Sequence, residues 1–221
     1  LAPRSCTICG GRLTVTEEVM CACCNQSLPR TGYARNACDN RLVRLFWGRI
    51  PIERGASLFF YKAHSDTSRL LYQLKYGGHS ETGELLGRLV ADEFAADGFF
   101  DGITALVPVP LARQRERERG YNQSVEIARG ISTATGIPVV GNVLERISFH
   151  GSQTQKSRWE RNENVEKAFR LTDASAVRNR HVLLVDDVIT TGATLVAAAR
   201  EILKAGNVKV SVLSLGFANN E

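Results

Sequence analysis

The chain has 221 residues, a hydrophobic content of 43% and a formal net charge of +5. This length and apolar content allow a buried core, so the composition excludes a disordered chain and favours one main domain with a small appendage. The sequence has neither an apolar run long enough to cross a bilayer nor the basic-then-apolar start of an export signal, so we expect a cytoplasmic protein without membrane insertion.

Cysteines dominate the start of the chain, where five of the six fall within the first 24 residues. Cys6 and Cys9 form one Cys-x-x-Cys pair, and Cys21 and Cys24 form a second. Two such pairs can present four thiolates at tetrahedral angles, which is the arrangement that structural zinc prefers. We therefore predict a zinc-ribbon-like unit over residues 1–30, with the metal supplying most of its folding free energy.

Alternatives to this zinc site remain open. The same cysteines could form two disulfides in an exported protein. Cys23 could replace Cys21 or Cys24 as a ligand, whereas Cys38 is isolated and is expected to be an ordinary thiol. The four histidines are scattered and are left out of the metal site. Residues 31–55 read as a connection to a larger domain at 56–221.

The larger domain alternates short apolar runs with helical periodicity, which predicts an α/β fold in which helices flank a mostly parallel sheet. Helical faces are expected around Leu70–Leu74 and around Leu85–Phe94. Two further helices are predicted at 121–135 and 193–205. Strands are predicted at 56–61, 103–109, 137–147, 182–185 and 208–217.

Two charged stretches interrupt this pattern. Arginines at 113, 115, 117 and 119 form a basic run that could contact an anion, but the interleaved Glu116 and Glu118 are equally typical of a solvated helix face. Residues 148–166 are polar and too long for an ordinary connection, so we expect a functional loop there.

The most informative segment is residues 182–194. Asp186 and Asp187 follow a buried apolar run, and ligands of parallel α/β sheets bind at the carboxyl ends of the strands. Carboxylates there can accept hydrogen bonds from ribose hydroxyls or hold Mg²⁺ through water. A threonine-rich loop with Gly192 then enters a helix, whose free N–H groups favour a phosphate. The alternative is a strand capped by Asp and a helix capped by Thr, which explains each residue separately but not the whole series.

This segment resembles the phosphoribosyl-pyrophosphate signature of type I phosphoribosyltransferases, which has two flanked acids followed by a Thr-Thr-Gly-x-Thr loop. Other stretches are similar to those of the ComF family of competence-associated proteins. They are Leu74-Lys75-Tyr76, the Cys-x-x-Cys pairs, Val107-Pro-Val-Pro-Leu111 with Arg119-Gly-Tyr-Asn-Gln-Ser124, and Thr154-Gln155 followed by Arg158, Arg161, Asn164-Val165 and Ala168-Phe169. The resemblance spans essentially the whole chain and implies a type I phosphoribosyltransferase fold.

The resemblance also implies roles for individual residues. Ribose hydroxyls, Mg²⁺ and the 5-phosphate of 5-phosphoribosyl-1-pyrophosphate (PRPP) would be bound by Asp186, Asp187, Val188, Thr190, Thr191, Gly192, Ala193 and Thr194. The pyrophosphate side would be formed by Pro110, Leu111, Arg113 and Arg119. Residues 148–166 would be a flap that excludes water, with Thr154, Gln155, Arg158 and Arg161 as candidate contacts. Arg158 and Arg161 are as readily explained as solvated loop charges.

Two functions fit this sequence. One is transfer of phosphoribosyl to a nitrogen acceptor, with pyrophosphate as the leaving group. The other is a non-catalytic role, as a metabolite sensor or as a factor that binds single-stranded DNA during uptake with competence machinery. The chain extends only a few residues beyond its last predicted strand, so an acceptor pocket is expected from residues 1–60 or from the flap. The sequence identifies neither the acceptor, the catalytic residue nor the oligomeric state.

Overall fold

The computed structural model describes residues 4–78, 80–147 and 168–218. Its helices and strands follow one another in the order α1 (Ala22–Ser27), α2 (Arg41–Arg44), β1 (Gly55–Tyr61), α3 (Asp66–Tyr76), α4 (Glu81–Ala95), β2 (Ala105–Pro108), α5 (Arg113–Arg119), α6 (Gln123–Thr135), β3 (Leu144–Arg146), β4 (Phe169–Leu171), β5 (His181–Ile189), α7 (Ala193–Leu203) and β6 (Lys209–Ala218).

A parallel sheet forms the centre of the molecule. Its strands are ordered β1-β6-β5-β2, and each neighbouring pair runs in the same direction. The predicted α/β fold with a parallel sheet is therefore confirmed. Because all four strands run the same way, their carboxyl ends meet at one edge, where a ligand can reach the loops that follow them.

Both faces of the sheet are buried, and successive residues of β5 alternate between them. Leu183 and Val185 pack with apolar residues of α3, α4 and α6 on one face. Val182 and Leu184 pack with α2, α7 and the antiparallel pair β3–β4 on the other. This two-sided burial explains why the strand reads as an uninterrupted apolar run in the sequence.

Helix α6 lies close against α4 on the first face. A Cβ atom added at Gly130 would lie 2.0 Å from the backbone oxygen of Glu84, so only glycine allows this approach. Asn122 caps the helix by accepting a hydrogen bond from the backbone N–H of Ser124, and Gly136 ends it in a left-handed conformation. Asn122 also donates to the backbone oxygen of Val109, just after β2, so the start of α6 is held at the carboxyl edge of the sheet.

The predicted strand at 137–147 was wrong in its extent. Regular strand is limited to Leu144–Arg146, which pairs antiparallel with Phe169–Leu171. Before it, Val139 makes a single parallel bridge to Leu106. Pro138 lacks an N–H group and a turn at Gly141 and Asn142 redirects the chain, so no continuous ladder can form.

The cysteine-containing start of the chain packs on α4 rather than standing apart. Ile8, Val19 and Met20 share a buried cluster with Leu86. Residues that follow it also enter the core, because Leu42, Phe46 and Ile50 are buried on the opposite face. The domain boundaries at residues 30 and 55 stay predictions. Within the described ranges, each helix is too short or too polar to cross a bilayer.

Candidate functional site

The two predicted acids lie at the carboxyl end of β5, between the ends of β6 and β2. β5 continues to Ile189, beyond the predicted end at residue 185, because β6 extends beside it with Asp186 opposite Ser214 and Val188 opposite Gly216. Asp186 and Asp187 are both partly buried. Both carboxylates therefore lie within β5, close to its carboxyl end, and not in the loop that follows it.

Asp186 is the more constrained acid. Its Oδ1 accepts hydrogen bonds from Ser124 Oγ at 3.3 Å and from the Asp187 backbone N–H at 2.9 Å. Burial, reinforced by the neighbouring charge of Asp187, raises the pKa of Asp186 to about 7, although those hydrogen bonds and the charge of Lys75 oppose the shift. A carboxyl group that titrates near neutrality at the end of a strand is typical of a ligand site.

Lys75 provides the cation that faces these acids. Its Nζ lies 2.9 Å from Asp187 Oδ2, and the two side chains are 27% and 16% exposed. α3 brings this lysine to the edge because Leu70, Leu71 and Leu74 are buried against the sheet while Lys75 is the next residue along. The Leu-Lys-Tyr motif was noted in the sequence, but only the fold pairs its lysine with Asp187.

The threonine-rich loop lies beside the acids. Thr190 and Thr191 are exposed, and the helix begins at Ala193, so the first N–H groups of α7 lie at the same edge. A recess of about 30 Å³ is lined by this loop and the end of β5. The structure therefore brings together Asp186, Asp187, Val188, Thr190, Thr191, Gly192, Ala193 and Thr194.

Gly192 adopts the left-handed conformation that the loop requires, with φ of 71°. A Cβ atom at this position would lie 3.3 Å from ring carbons of Phe46, so the packing of Phe46 also disfavours a larger residue here. Arg49 supports the loop from the same segment, donating from Nη1 to the backbone oxygen of Thr191 at 2.9 Å. Nothing in the sequence singled out Arg49.

The predicted pyrophosphate side follows β2, which is hydrogen-bonded to β5. Pro110 and Leu111 are partly buried where the chain leaves β2. Because Pro108 is opposite Val185 in the sheet, this part of the chain lies near Asp186. Arg113 donates to Glu145 Oε1 at 2.7 Å. Arg119 donates to Gln123 Oε1 at 2.7 Å and lies over the ring of Tyr76 at 5.2 Å. The basic run forms helix α5, and these two arginines have separate partners.

Further polar groups near this side were not assigned a role from the sequence. Asn122 donates to the backbone oxygen of Val109 at 3.0 Å, so the start of α6 is tied to the end of β2. Arg146 belongs to β3, and burial together with Arg115 lowers its pKa, while the negative charge of Asp186 opposes that change. Gln123 Nε2 is a buried donor without a hydrogen-bond partner in the described part of the chain.

The four predicted metal ligands converge. The sulfur atoms of Cys6, Cys9, Cys21 and Cys24 all lie within 4.8 Å of one another. The Cys9 and Cys21 sulfurs are 3.9 Å apart, close to the separation of about 3.8 Å expected for tetrahedral Zn–S bonds of about 2.3 Å. The cluster does not include Cys23, so the first choice of ligands is supported.

The thiols of the cluster differ in acidity. Burial opposes ionisation of Cys6, but hydrogen bonds from the backbone N–H groups of Cys9, Cys21 and Ile8 lower its pKa to about 6. Burial and the neighbouring thiols raise the pKa of Cys24. Such coupled thiols are the kind of donor set that a metal cation stabilises, because its charge offsets the repulsion between thiolates.

The predicted flap contacts Thr154, Gln155, Arg158 and Arg161 lie outside the described residues.

Comparison with known proteins shows which family this chain belongs to. Residues 83–218 match the phosphoribosyl transferase domain. DNA utilization protein YhgH of Escherichia coli K12 is 30% identical over 213 residues, which cover 95% of this chain and 88% of that protein. Competence protein F of Haemophilus influenzae is 36% identical over 115 residues, covering 52% of this chain and 50% of the relative.

Solved structures give weaker similarities. A glutamine PRPP amidotransferase from B. subtilis aligns with a TM-score of 0.44 and 22% identity over 64% of this chain, which spans 30% of that enzyme. An adenine phosphoribosyltransferase from Leishmania tarentolae aligns with a TM-score of 0.41 and 13% identity, covering 86% of this chain and 94% of that one. The sequence matches are sufficient by themselves: this chain belongs to the ComF family of proteins built on a phosphoribosyltransferase domain.

Proposed function

We propose that the chain binds PRPP together with Mg²⁺ at the carboxyl edge of the sheet, and that it is a cytoplasmic protein. The observation that carries this proposal is the juxtaposition of Asp186 and Asp187 with the loop at 190–194. An acid pair suits the vicinal hydroxyls of a ribose, and free N–H groups at the start of a helix suit its 5-phosphate. The spacing of β5, loop and α7 supports one ligand that carries both groups.

Each side chain then has a defined part in binding. Asp186 and Asp187 accept hydrogen bonds from the sugar hydroxyls, and residues 190–194 bind the 5-phosphate. The chain from Pro110 to Arg113 lies beside the pyrophosphate. Carboxylate oxygens are suitable ligands for Mg²⁺, which when bound neutralises charge on the pyrophosphate.

The reaction that fits such a ligand is transfer to a nitrogen nucleophile. The nitrogen lone pair forms a bond to C1 of the sugar, and the bond from C1 to the pyrophosphate oxygen breaks with its electron pair leaving on that oxygen. The proton lost by the nitrogen passes to water. Donors held in place around the departing oxygens favour this step because they need no reorganisation as negative charge develops.

Zinc is proposed for the four-cysteine cluster, in a structural role. Its donor set is all sulfur and its geometry suits a tetrahedral ion. The cysteine-containing unit and the larger domain share one buried apolar cluster. Metal binding would therefore stabilise the face of the larger domain that carries α4. Stoichiometric zinc in the purified protein is the expected result, and oxidised thiols with almost no metal would restore the disulfide alternative.

Calorimetry with PRPP and Mg²⁺ tests the sugar site. Asp187→Asn should weaken binding about 10- to 150-fold, because hydrogen bonds to charged groups contribute about 1.5–3 kcal/mol. Asp97→Asn is the matched control. Asp97 follows α4 and pairs with Arg35 at 3.9 Å, and its neighbour Gly98 accepts a hydrogen bond from Arg54, which precedes β1 at the opposite edge of the sheet. Equal affinity of Asp187→Asn and wild type would count against the assignment.

Assays of pyrophosphate release separate catalysis from sensing. Ammonia, glutamine and free bases serve as acceptors with PRPP and Mg²⁺. Release that depends on an acceptor supports the transferase, and binding without turnover supports a metabolite sensor.

Binding of single-stranded DNA is a second candidate function. The names of two relatives refer to competence and to DNA utilization, and α5 exposes Arg115 and Arg117 to solvent. Anisotropy of a labelled single strand should rise with protein, and the affinity should fall with salt because each neutralised phosphate releases counterions. Replacing Arg115 and Arg117 with Gln should weaken binding and flatten that salt dependence. An unchanged salt slope would argue against α5 as the contact.

A further inference from the structure

The ion pair between Lys75 and Asp187 forms part of the wall of a large cavity. The Lys75 Nζ and Asp187 Oδ2 atoms are 2.9 Å apart, and both side chains are largely shielded from solvent. The cavity has a volume of about 860 Å³, and Val188 and Thr190 line it beside the pair. An ion or a ligand in the cavity can therefore reach both partners, which would not be the case for an ion pair enclosed in a packed core.

Contacts to the residues on either side of Lys75 hold it beside the acids. Tyr121 Oη donates a hydrogen bond to the backbone oxygen of Leu74 at 2.6 Å, and the guanidinium of Arg119 lies over the ring of Tyr76 at 5.2 Å. Leu74 is fully buried, so the end of α3 is fixed both to the core and to the segment that joins α5 and α6. The fold therefore places the ammonium group, which is not free to turn into solvent like a lysine on an exposed helix face.

The positive charge of Lys75 acts on both acids. It pairs directly with Asp187, and it opposes the rise in the pKa of Asp186 that burial and the charge of Asp187 cause. Two neighbouring carboxylates in a partly buried position repel each other and attract a cation. Lys75 supplies that cation from within the chain, so its removal would leave the acid pair more negative by one elementary charge.

A divalent cation and Lys75 need the same carboxylate oxygen. Mg²⁺ binds such oxygens at about 2.0–2.1 Å, so an ion on Asp187 Oδ2 would lie within about 5 Å of the Lys75 ammonium group. Like charges at that distance repel each other, and the repulsion grows where solvent is partly excluded. A free ion must overcome this repulsion or displace Lys75, whereas an ion that is already bound to a pyrophosphate brings compensating negative charge.

We propose that Lys75 is the resident counter-ion of Asp186 and Asp187, and that it excludes free divalent cations so that metal enters the site only with a phosphorylated ligand. The proposal rests on the proposed PRPP site, because Asp187 belongs to both. It makes Lys75 a residue that determines specificity, since the site then selects a complex of a metal with a diphosphate over the bare ion.

Titration with Mn²⁺ as a probe for Mg²⁺ tests this role on the zinc-loaded protein without PRPP, with the paramagnetic resonance signal of free Mn²⁺ as the readout. Wild type should leave that signal almost unchanged. Lys75→Met keeps an unbranched side chain without the charge, and it should bind Mn²⁺ about tenfold or more tightly than wild type. Mn²⁺ should also raise the melting temperature of this variant but not that of wild type. Loss of a purely structural ion pair would lower the melting temperature without creating a metal site.

Three variants serve as controls. Lys75→Arg keeps the positive charge and should bind Mn²⁺ as weakly as wild type. Lys209→Met removes a lysine that pairs with Glu53 at 4.0 Å, at the opposite edge of the sheet, and it should also behave like wild type. Lys75→Met combined with Asp187→Asn should lose the Mn²⁺ site that Lys75→Met gains. Equal Mn²⁺ binding by Lys75→Met and wild type, or tight binding by wild type, would overturn the proposal.

Calorimetry of wild type with PRPP and Mg²⁺ separates this inference from the proposed function. Binding of PRPP by wild type, with no gain of Mn²⁺ binding in Lys75→Met, would refute only the role of Lys75. A gain of Mn²⁺ binding in Lys75→Met, with no binding of PRPP by wild type, would refute the proposed sugar site instead and retain the exclusion of free ions by Lys75.

Discussion

Replacing Asp186 with Asn should stabilise the unliganded protein, by an amount that grows with pH. Asn keeps an oxygen in the position that accepts hydrogen bonds from Ser124 Oγ and the Asp187 N–H. It removes a partly buried negative charge that lies next to another carboxylate. The fold therefore holds the ionised Asp186 at a cost, which the variant relieves.

The size of this effect follows from the pKa of Asp186, which is raised from an ordinary 3.8 to about 7. Below pH ~4 the group is protonated in both states, so the variant gains nothing. Between pH ~4 and ~7 the unfolded chain ionises while the folded protein keeps its proton, so wild-type stability falls by up to about 1.4 kcal/mol per pH unit. Above pH ~7 both states are ionised, and the difference levels off at a few kcal/mol.

Urea denaturation at pH 5, 6, 7 and 8 measures this difference. The variant should be more stable than wild type at pH 8, and its advantage should shrink toward pH 5. The same variant should lose affinity for PRPP, because an amide replaces a carboxylate that accepts from sugar hydroxyls. A stability difference that is independent of pH, or a variant less stable than wild type at pH 8, would refute the reasoning. Asp97→Asn, at the other edge of the sheet, is the control.

Three further outcomes are expected. Gly192→Ala should lower the free energy of unfolding by about 1–3 kcal/mol in urea titrations, because its φ of 71° is strained for alanine and its Cβ would meet Phe46. Arg49→Ala loses the bond to the Thr191 oxygen and should weaken ribose 5-phosphate binding about three- to tenfold by calorimetry, with stability nearly unchanged. Cys9→Ser should reduce zinc below one per chain and lower the melting temperature, whereas Cys23→Ser should retain metal; equal zinc in both would exclude Cys9 as a ligand.

The features that could be read from the sequence are those encoded by neighbouring residues. The apolar run before Asp186, the loop at 190–194 and the paired Cys-x-x-Cys motifs each need only a short segment to be recognised. A buried parallel strand must be apolar on both faces, and a helix entered through threonine and glycine exposes its first N–H groups. The strand at 137–147 failed because its apolar residues signal burial but not hydrogen-bond pairing.

Tertiary structure alone decided which distant groups face the acids and the loop. Arg49 reaches the Thr191 oxygen across 142 positions of sequence, and Lys75 pairs with Asp187 only because α3 packs on β1 and its carboxyl end meets the end of β5 at one sheet edge. In the sequence, the spacing of Tyr72 and Tyr76 is typical of residues on any helix face. Only the fold shows that both side chains are exposed and that Arg119 lies over the Tyr76 ring. These contacts depend on strand order and helix packing, and such long-range geometry has no local pattern in the chain.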